Sequence, residues 1–257
     1  MGTGVDILYV VGENRDERLL RWSLRSVRQF AEGVGRIVVA GYPPAWLSDS
    51  VVRVECRDDE GDWGKHHDIM RCIMEAVSSG AVTSRFLYSS DDHFFVRPVF
   101  LPDYPVYVQN GGMPSSSDFS RSGISNRWAE SCAHTRELLF SHGYACEHFS
   151  GHYDTWMFAE DAGEVRDLVA ESERAGNALG LEPTDTFLNV HLRHSDMDAV
   201  RATDVKLKSF GTMSDFYAKV SSRPMFSVSG EVLRNPEFVT MMDLLYPGPS
   251  VYEEVTR

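Results

Sequence analysis

Short apolar runs alternate with segments of helical periodicity through the first hundred residues, and this alternation is what most constrains the fold. A mostly apolar run indicates a buried strand, whereas apolar residues three or four apart indicate one face of a helix. Four runs are interpreted as strands: Val5–Val11, Arg36–Gly41, Val51–Val54 and Arg85–Ser90. The two helical faces are marked by Leu20, Leu24, Val27 and Ala31, and by Ile69, Ile73, Ala76 and Val77. The order β-α-β-β-α-β predicts an α/β fold with a mostly parallel central sheet and right-handed crossovers.

The second half of the chain is less regular. Residues 106–108 are interpreted as a strand, and residues 128–141, 160–176 and 232–246 as helices. Residues 110–125 are rich in Gly and Ser, which indicates a mobile loop of the kind that serves as a lid. There is no internal repeat and no clear linker, so residues 1–257 are expected to form one domain with an irregular C-terminal half.

Composition and charge restrict the class of protein. A formal net charge of -13 opposes non-specific adhesion to nucleic acids and anionic membranes, although a local basic groove remains compatible with it. The four cysteines have no CxxC spacing, so they are expected to be reduced structural thiols. No apolar stretch reaches the roughly 20 residues needed to span a bilayer, and the first residues lack the features of a signal peptide. These observations favour a cytoplasmic location.

The fourth apolar run ends in Asp91 and Asp92, followed by His93. Ionised carboxylates are costly to desolvate unless a positive charge pairs with them. Their hard oxygen atoms suit Mg²⁺ or Mn²⁺, which in turn bind phosphate oxygens. The alternative is a polar strand end or a helix N-cap, for which Asp is favoured.

A second candidate loop follows the first strand and contains Val11, Gly12, Glu13 and Asn14. In a parallel sheet the carboxyl ends of the strands lie at one edge, and ligands bind in the crevice beyond them. This loop and the Asp91-Asp92 pair are therefore expected to face the same crevice. The alternative is an ordinary strand-to-helix turn, which also favours Gly and Asn.

Four segments in this order resemble the phage and bacterial glycosyltransferase-like proteins related to the Stealth sugar-phosphate transferases. The segments are Asp6-Ile7-Leu8-Tyr9-Val10-Val11-Gly12, Arg21-Trp22-Ser23-Leu24-Arg25-Ser26-Val27, Val38-Val39-Ala40-Gly41-Tyr42-Pro43-Pro44-Ala45-Trp46-Leu47 and Tyr88-Ser89-Ser90-Asp91-Asp92-His93-Phe94-Phe95. The resemblance covers the first hundred residues well and the remainder in patches. It implies a GT-A-like fold and a divalent metal held by an Asp-rich motif. It also implies a nucleotide-sugar donor, for which a UDP-sugar is favoured.

This resemblance suggests roles for the acidic pair and for later histidines. Asp92 is expected to bind the metal directly, with Asp91 reaching the ribose or a metal-bound water. His93 is a candidate third ligand, although hard cations prefer oxygen and a hydrogen-bonded turn histidine is the alternative. His191 or His194 would close the coordination sphere, as a late histidine does in many GT-A enzymes.

Two cations are candidates for contacting the donor phosphates. Arg21 matches the family pattern, but it belongs to an arginine stripe that a solvated helix face would also explain. Lys65 begins a predicted helix, where a positive charge is unfavourable unless an anion such as phosphate lies nearby.

Transfer to a hydroxyl group needs a base to accept its proton, and Asp154 and His152 are the candidates. His152 matches a histidine in the second block of the family. The proline that usually follows two residues later is replaced by Asp154. A hydrogen-bonded surface pair is the alternative explanation for both residues.

The leading functional prediction is a metal-dependent glycosyltransferase, with residues 1–100 binding the nucleotide sugar and residues 101–257 binding the acceptor. The acceptor would be a hydroxymethylated pyrimidine in phage DNA, contacted by Arg121 and Arg127, or else a polysaccharide or a protein. One alternative is a Stealth-like sugar-1-phosphate transferase acting on a polysaccharide. The other is a nucleotide-sugar-binding protein without catalytic activity.

Overall fold

The computed structural model describes residues 4–13, 16–56 and 63–254. All four strands predicted in the first hundred residues form, with bounds that differ from the prediction by at most two residues. In chain order, the strands of the described residues are Val5–Val11 (β1), Ala31–Glu32 (β2), Val34–Gly41 (β3), Val52–Glu55 (β4), Arg85–Ser89 (β5), His93–Phe95 (β6), Val99–Phe100 (β7), Val106–Val108 (β8), Thr155–Phe158 (β9), Ala199–Arg201 (β10), Lys206–Leu207 (β11) and Met225–Val228 (β12).

The helices of the described residues connect and cover these strands. In chain order they are Glu17–Phe30 (α1), Lys65–Ser78 (α2), Ser116–Ser122 (α3), Arg127–Ser141 (α4), Ala162–Arg174 (α5), Pro183–Leu192 (α6), Met213–Val220 (α7) and Pro236–Leu245 (α8). The side chain of Asp16 caps α1 by accepting a hydrogen bond from the backbone N–H of Arg18. Asn14, expected to line the nucleotide pocket, lies outside the described residues. None of the described helices combines the length and apolar character needed to cross a bilayer.

The central sheet has five strands in the order β4-β3-β1-β5-β9. β1 pairs in parallel with β3 and β5, and β3 pairs in parallel with β4, so the predicted mostly parallel α/β sheet is confirmed. β9 adds an antiparallel edge beside β5. No strand is predicted for this segment from the sequence, because four residues are too few to show a strand period.

Alternate residues of β1 point to opposite faces of the sheet. Ile7 and Tyr9 join a core cluster with Leu24 of α1, whereas Leu8 joins a second cluster with Ile73 of α2. The two helices therefore cover opposite faces. The chain runs from β1 through α1 to β3, and it returns through α2 to β5 on the other side of β1. Such a reversal of strand order opens a crevice at the carboxyl ends of the strands.

A third core cluster joins the C-terminal segment to the first hundred residues. Trp22 and Phe94 pack there with Phe226 and Tyr246. The Tyr246 hydroxyl donates a hydrogen bond to the backbone oxygen of Phe95 at 2.9 Å. β12 also pairs with β6. The early and late parts of the chain thus share one core, as expected for a single domain.

The segment at residues 110–125, expected to be a loop, contains the helix α3. Ser115 and Asp118 form a capping box: each side chain accepts a hydrogen bond from the backbone N–H of the other. Gly123 ends the helix in the left-handed conformation, with φ of 69°. The Ser-x-x-Asp spacing therefore outweighs the helix-breaking composition of the segment.

Arg21 belongs to a clamp at the C-terminus and lines neither of the cavities described below. Glu253, which is 4% exposed, accepts hydrogen bonds from Arg25 at 2.8 and 2.9 Å and from Arg21 at 2.9 Å. The Arg21 guanidinium also lies over the Trp46 ring, 3.8 Å from its centroid. Arg21 also lies 4.0 Å from Glu17. The structure thus shows a structural role for Arg21, and a contact with the donor phosphates stays a prediction.

We expect Glu253→Gln to lower the free energy of unfolding by about 2–4 kcal/mol, since removing the charge leaves two partly buried arginines uncompensated. Burial alone would raise the pKa of Glu253, but hydrogen bonds from Arg25, Ser250 and Arg21 lower it below its usual value. The stabilisation is therefore present above the ordinary glutamate pKa and is lost as the pH falls through the lowered value. Urea unfolding at pH 7 and at pH 3 measures both effects.

The control for this measurement is Glu254→Gln, which changes an exposed neighbouring carboxylate. It should leave the urea midpoint at pH 7 unchanged. Equal midpoints for the Glu253 variant and the unmodified protein would contradict the clamp.

Candidate functional site

A cavity of about 380 Å³ lies beyond the carboxyl ends of β1, β3 and β5, and we call it the strand-end cavity. The structure brings together here five of the residues singled out from the sequence: Val11, Gly12, Glu13, Lys65 and Asp91. The other lining residues are Val10, Gly41, Tyr42, Cys56, Asp68, Ile69, Cys72, Tyr88 and Ser90. The two loops after β1 and β5 thus face one crevice, as the sheet topology requires.

A second cavity of about 560 Å³ adjoins the first, and we call it the histidine cavity. Asp92, His93 and His152 line it, together with Lys206 and Lys208. The two cavities share four lining residues: Lys65, Ile69, Tyr88 and Ser90. A ligand that extends from one cavity into the other would therefore pass both aspartates.

The two adjacent carboxylates line different cavities. Asp91 lines the strand-end cavity and Asp92 lines the histidine cavity. They occupy a turn between β5 and β6. A metal site formed by side chains alone needs at least three potential ligand atoms close together. Among the described residues, Glu160, Asp161 and His191 meet this requirement, with their ligand atoms all within 4.8 Å of one another. Asp91, Asp92 and His93 therefore do not form a closed metal cage.

Asp92 is flanked by two cationic groups. Its Oδ1 lies 3.8 Å from His93 Nε2, and its Oδ2 lies 3.9 Å from Lys206 Nζ. Burial alone would raise the pKa of the Asp92 carboxyl, but the charge of His93, a hydrogen bond from Ser90 and the charge of Lys206 lower it. Asp92 is therefore ionised at neutral pH.

The imidazole of His93 contacts Asp154, which is 2% exposed and lines neither cavity. The Nδ1 atom of His93 lies 3.0 Å from Asp154 Oδ1, so the imidazole donates this hydrogen bond and turns Nε2 toward the cavity. Burial alone would lower the pKa of His93, but the hydrogen bond to Asp154 and the charge of Asp92 raise it. Asp154, expected to be a base in contact with the acceptor, instead lies beneath His93 and orients it.

His152 is the other candidate base, and it does line the histidine cavity. Burial, with smaller contributions from the charges of Lys206 and His93, lowers the pKa of His152 to about 4. The imidazole is therefore neutral at pH 7 and carries a lone pair that can accept a proton.

His191 and Asp92 lie near opposite ends of β5. It stacks on Phe158, with ring centroids 3.5 Å apart, and its Nδ1 lies 2.9 Å from Asp161 Oδ2. Phe158 pairs with Arg85, which begins β5, whereas Asp92 follows the end of that strand. His191 therefore cannot share a metal ion with Asp92, and His194 is bonded to Glu164 away from both cavities. A late histidine was expected to complete the metal site at Asp92. Because β9 runs antiparallel to β5, it places His191 away from Asp92, which corrects this expectation.

Lys206 is the functional candidate that sequence reasoning missed. It lies on β11, which pairs with β12, and Ser227 of β12 pairs in turn with both Lys206 and His93. A separation of more than one hundred residues hides this proximity, and no local motif surrounds the lysine.

No profile of a known protein family matches this chain. Curated proteins match it in part. Exopolysaccharide phosphotransferase CpsY of Mycobacterium tuberculosis is 34% identical over 114 residues, which cover 35% of this chain and 20% of that protein. The Mycobacterium leprae protein of the same name is 35% identical over 150 residues, or 46% of this chain and 26% of that protein.

Exopolysaccharide phosphotransferase SCO6023 of Streptomyces coelicolor is 35% identical over 112 residues, covering 38% of this chain and 17% of that protein. The matched part thus spans about a quarter or less of these relatives. The chain has a distant, partial similarity to exopolysaccharide phosphotransferases, which agrees with the Stealth side of the resemblance.

We expect Asp154→Asn to lower the pKa of the His93 imidazole, because only the charge of Asp92 would then oppose burial and the charge of Lys206. Nuclear magnetic resonance titration of the histidine ring protons measures this change. Asp161→Asn is the matched control, since it alters the buried His191 pair near the other end of β5. A His93 pKa that stays the same in Asp154→Asn would contradict the positioning role of Asp154.

Proposed function

We propose that this protein transfers a sugar phosphate from a nucleotide sugar to a hydroxyl group of a glycan. The observation that carries the proposal is the pair of adjoining cavities, with Asp91 on one side of their shared wall and Asp92 on the other. The partial similarity to exopolysaccharide phosphotransferases favours phosphate transfer over the glycosyl transfer that led the sequence analysis.

The strand-end cavity suits the nucleoside part of the donor. Its volume lies within the range of small-molecule sites. Gly12 allows the ligand to approach the backbone closely, and Tyr42 offers an aromatic ring to a base. The diphosphate would then lie near Lys65, which begins α2 and lines both cavities. A UDP-sugar remains the favoured donor on the resemblance alone.

The transfer breaks one phosphate anhydride bond. The acceptor oxygen forms a bond to the phosphorus that carries the sugar, and the bond from that phosphorus to the nucleoside monophosphate breaks. The departing nucleoside monophosphate keeps the electron pair. Neutral His152 accepts the proton of the attacking hydroxyl group. Lys206 and the His93 imidazolium stabilise the negative charge that develops on the phosphate oxygens.

Asp91 and Asp92 would hold the expected Mg²⁺ or Mn²⁺. Enzymes that act on phosphates commonly bind Mg²⁺ through one or two carboxylates together with substrate oxygens, and the two aspartates offer such a partial set. When bound, the ion would neutralise charge on the diphosphate. His93 is assigned to charge stabilisation, because a protonated imidazole has no lone pair for a metal.

A DNA acceptor is not supported. Arg121, expected to contact DNA, forms an ion pair with Asp118 inside α3, and the related proteins carry exopolysaccharide in their names. Glycosyl transfer and donor binding without transfer remain the alternatives, and the product distinguishes them.

We expect incubation with UDP- and GDP-sugars, Mg²⁺ or Mn²⁺ and a polysaccharide to release a nucleoside monophosphate. Mass spectrometry should then find the mass of a sugar together with a phosphate on the acceptor. Release of a nucleoside diphosphate, with only a sugar added, would establish glycosyl transfer instead. Donor binding without either product would support the non-catalytic alternative.

We expect Lys206→Ala to lower kcat about 100-fold, the order of magnitude for loss of one preorganised charge-stabilising group. Lys206→Arg keeps the positive charge and should retain most of the activity, which makes it the matched control. Steady-state kinetics of monophosphate release measure both variants. An unchanged kcat in Lys206→Ala would remove this lysine from the mechanism.

A further inference from the structure

The histidine cavity has two chemically different ends. Lys206 and His93, which flank Asp92, make one end cationic, as a site for phosphate requires. The other end is lined mainly by uncharged side chains. They are Gln109, Asn126, Trp128, Pro183 and Thr184, with the carboxyl group of Glu182 beside them.

Trp128 is one of several large apolar residues that stay exposed in the described chain, and it also lines the histidine cavity. It is 45% exposed although it is large and aromatic, and it lies in the first turn of α4. The edge-to-face contact with Phe119, at 5.5 Å between ring centroids and 79° between planes, supports the ring from α3. Exposure of such a side chain inside a cavity, rather than on an open surface, indicates a contact surface for a ligand.

The cavity continues past Trp128. A neighbouring depression of about 290 Å³ is lined by Gly64, Arg127, Ser131 and Leu179, and it shares Lys65, His66 and Trp128 with the histidine cavity. A ligand longer than one ring could therefore pass across Trp128 from one space into the other.

Glu182 presents its carboxyl group to this end of the cavity. Its Oε2 accepts a hydrogen bond from the backbone N–H of Asp185 at 2.7 Å and caps α6. Its Oε1 lies 3.9 Å from the position that a Cβ atom at Gly151 would take. Burial, increased by the charge of Asp185, raises the pKa of Glu182 to about 8. A carboxyl group that is protonated at neutral pH both donates and accepts hydrogen bonds, as a sugar hydroxyl requires.

We propose that this end of the histidine cavity is a subsite for an uncharged pyranose of the acceptor, which stacks on Trp128 and hydrogen-bonds to Glu182. A pyranose ring has one face of C–H groups and a rim of hydroxyl groups. The C–H face suits the electron-rich face of the indole, and the rim suits the amides of Gln109 and Asn126. The subsite rests on the proposed function, since it supplies the hydroxyl group near His152.

The first experiment measures binding without donor or turnover. Saturation-transfer nuclear magnetic resonance with maltotriose, cellotriose and chitotriose should show binding of at least one of them to the unmodified protein. The affinity should fall about tenfold or more in Trp128→Ala and much less in Trp128→Phe. Phe140→Ala is the matched control, because it removes another exposed aromatic side chain of α4. Loss of binding in that control as well would contradict a site at Trp128.

The second experiment separates this subsite from the proposed function. If sugar-phosphate transfer occurs, Trp128→Ala and Glu182→Gln should raise the acceptor KM and leave the donor KM unchanged. Transfer with an unaltered acceptor KM in both variants would overturn the subsite while the proposed function stands. Trp128-dependent oligosaccharide binding without any transfer would support the subsite and remove the catalytic proposal. Absence of binding by all three neutral trisaccharides, or tighter binding of tri-galacturonate, would overturn the assignment to an uncharged sugar.

Discussion

The site depends on the compensation of buried negative charge at the end of β5. Asp154 is buried and Asp92 is half-buried, and His93 lies between them, 3.0 Å from Asp154 and 3.8 Å from Asp92. Lys206 completes the arrangement from β11. Because an uncompensated buried charge is strongly destabilising, these four residues hold together segments that are far apart in the chain. Lys65, which lines both cavities, adds a positive charge at their junction.

The two cavities that meet at this junction differ in chemical character. The strand-end cavity lies at the reversal of strand order, as is common for nucleotide sites, and charged residues line it beside backbone turns and aromatic or aliphatic groups. The histidine cavity runs from lysines and histidines to an exposed tryptophan and a half-buried carboxyl group. A donor diphosphate at the boundary would place its phosphorus atoms next to the cationic end.

The first hundred residues were largely predictable because their structure is local in origin. Buried strands require continuous apolar runs, helices require the 3.6-residue period, and parallel connection then places Gly12 and Asp91 at one edge of the sheet. The structure of the irregular C-terminal half was harder to predict from the sequence. The capping box of α3 was overlooked in a Gly- and Ser-rich segment. The antiparallel direction of β9, which sends His191 away from Asp92, leaves no mark in four residues.

The sequence by itself determined the parallel α/β sheet, the loop that carries Asp91 and Asp92, and the crevice that this loop faces. Only the tertiary structure decided which charges compensate each other: Lys206 beside Asp92, Asp154 beneath His93, and Arg21 on Glu253. The physical reason is that hydrogen-bonding period and apolar patterning act over a few neighbouring residues. Electrostatic pairing instead depends on distance in space, which strand order and helix packing set only once the whole chain has folded.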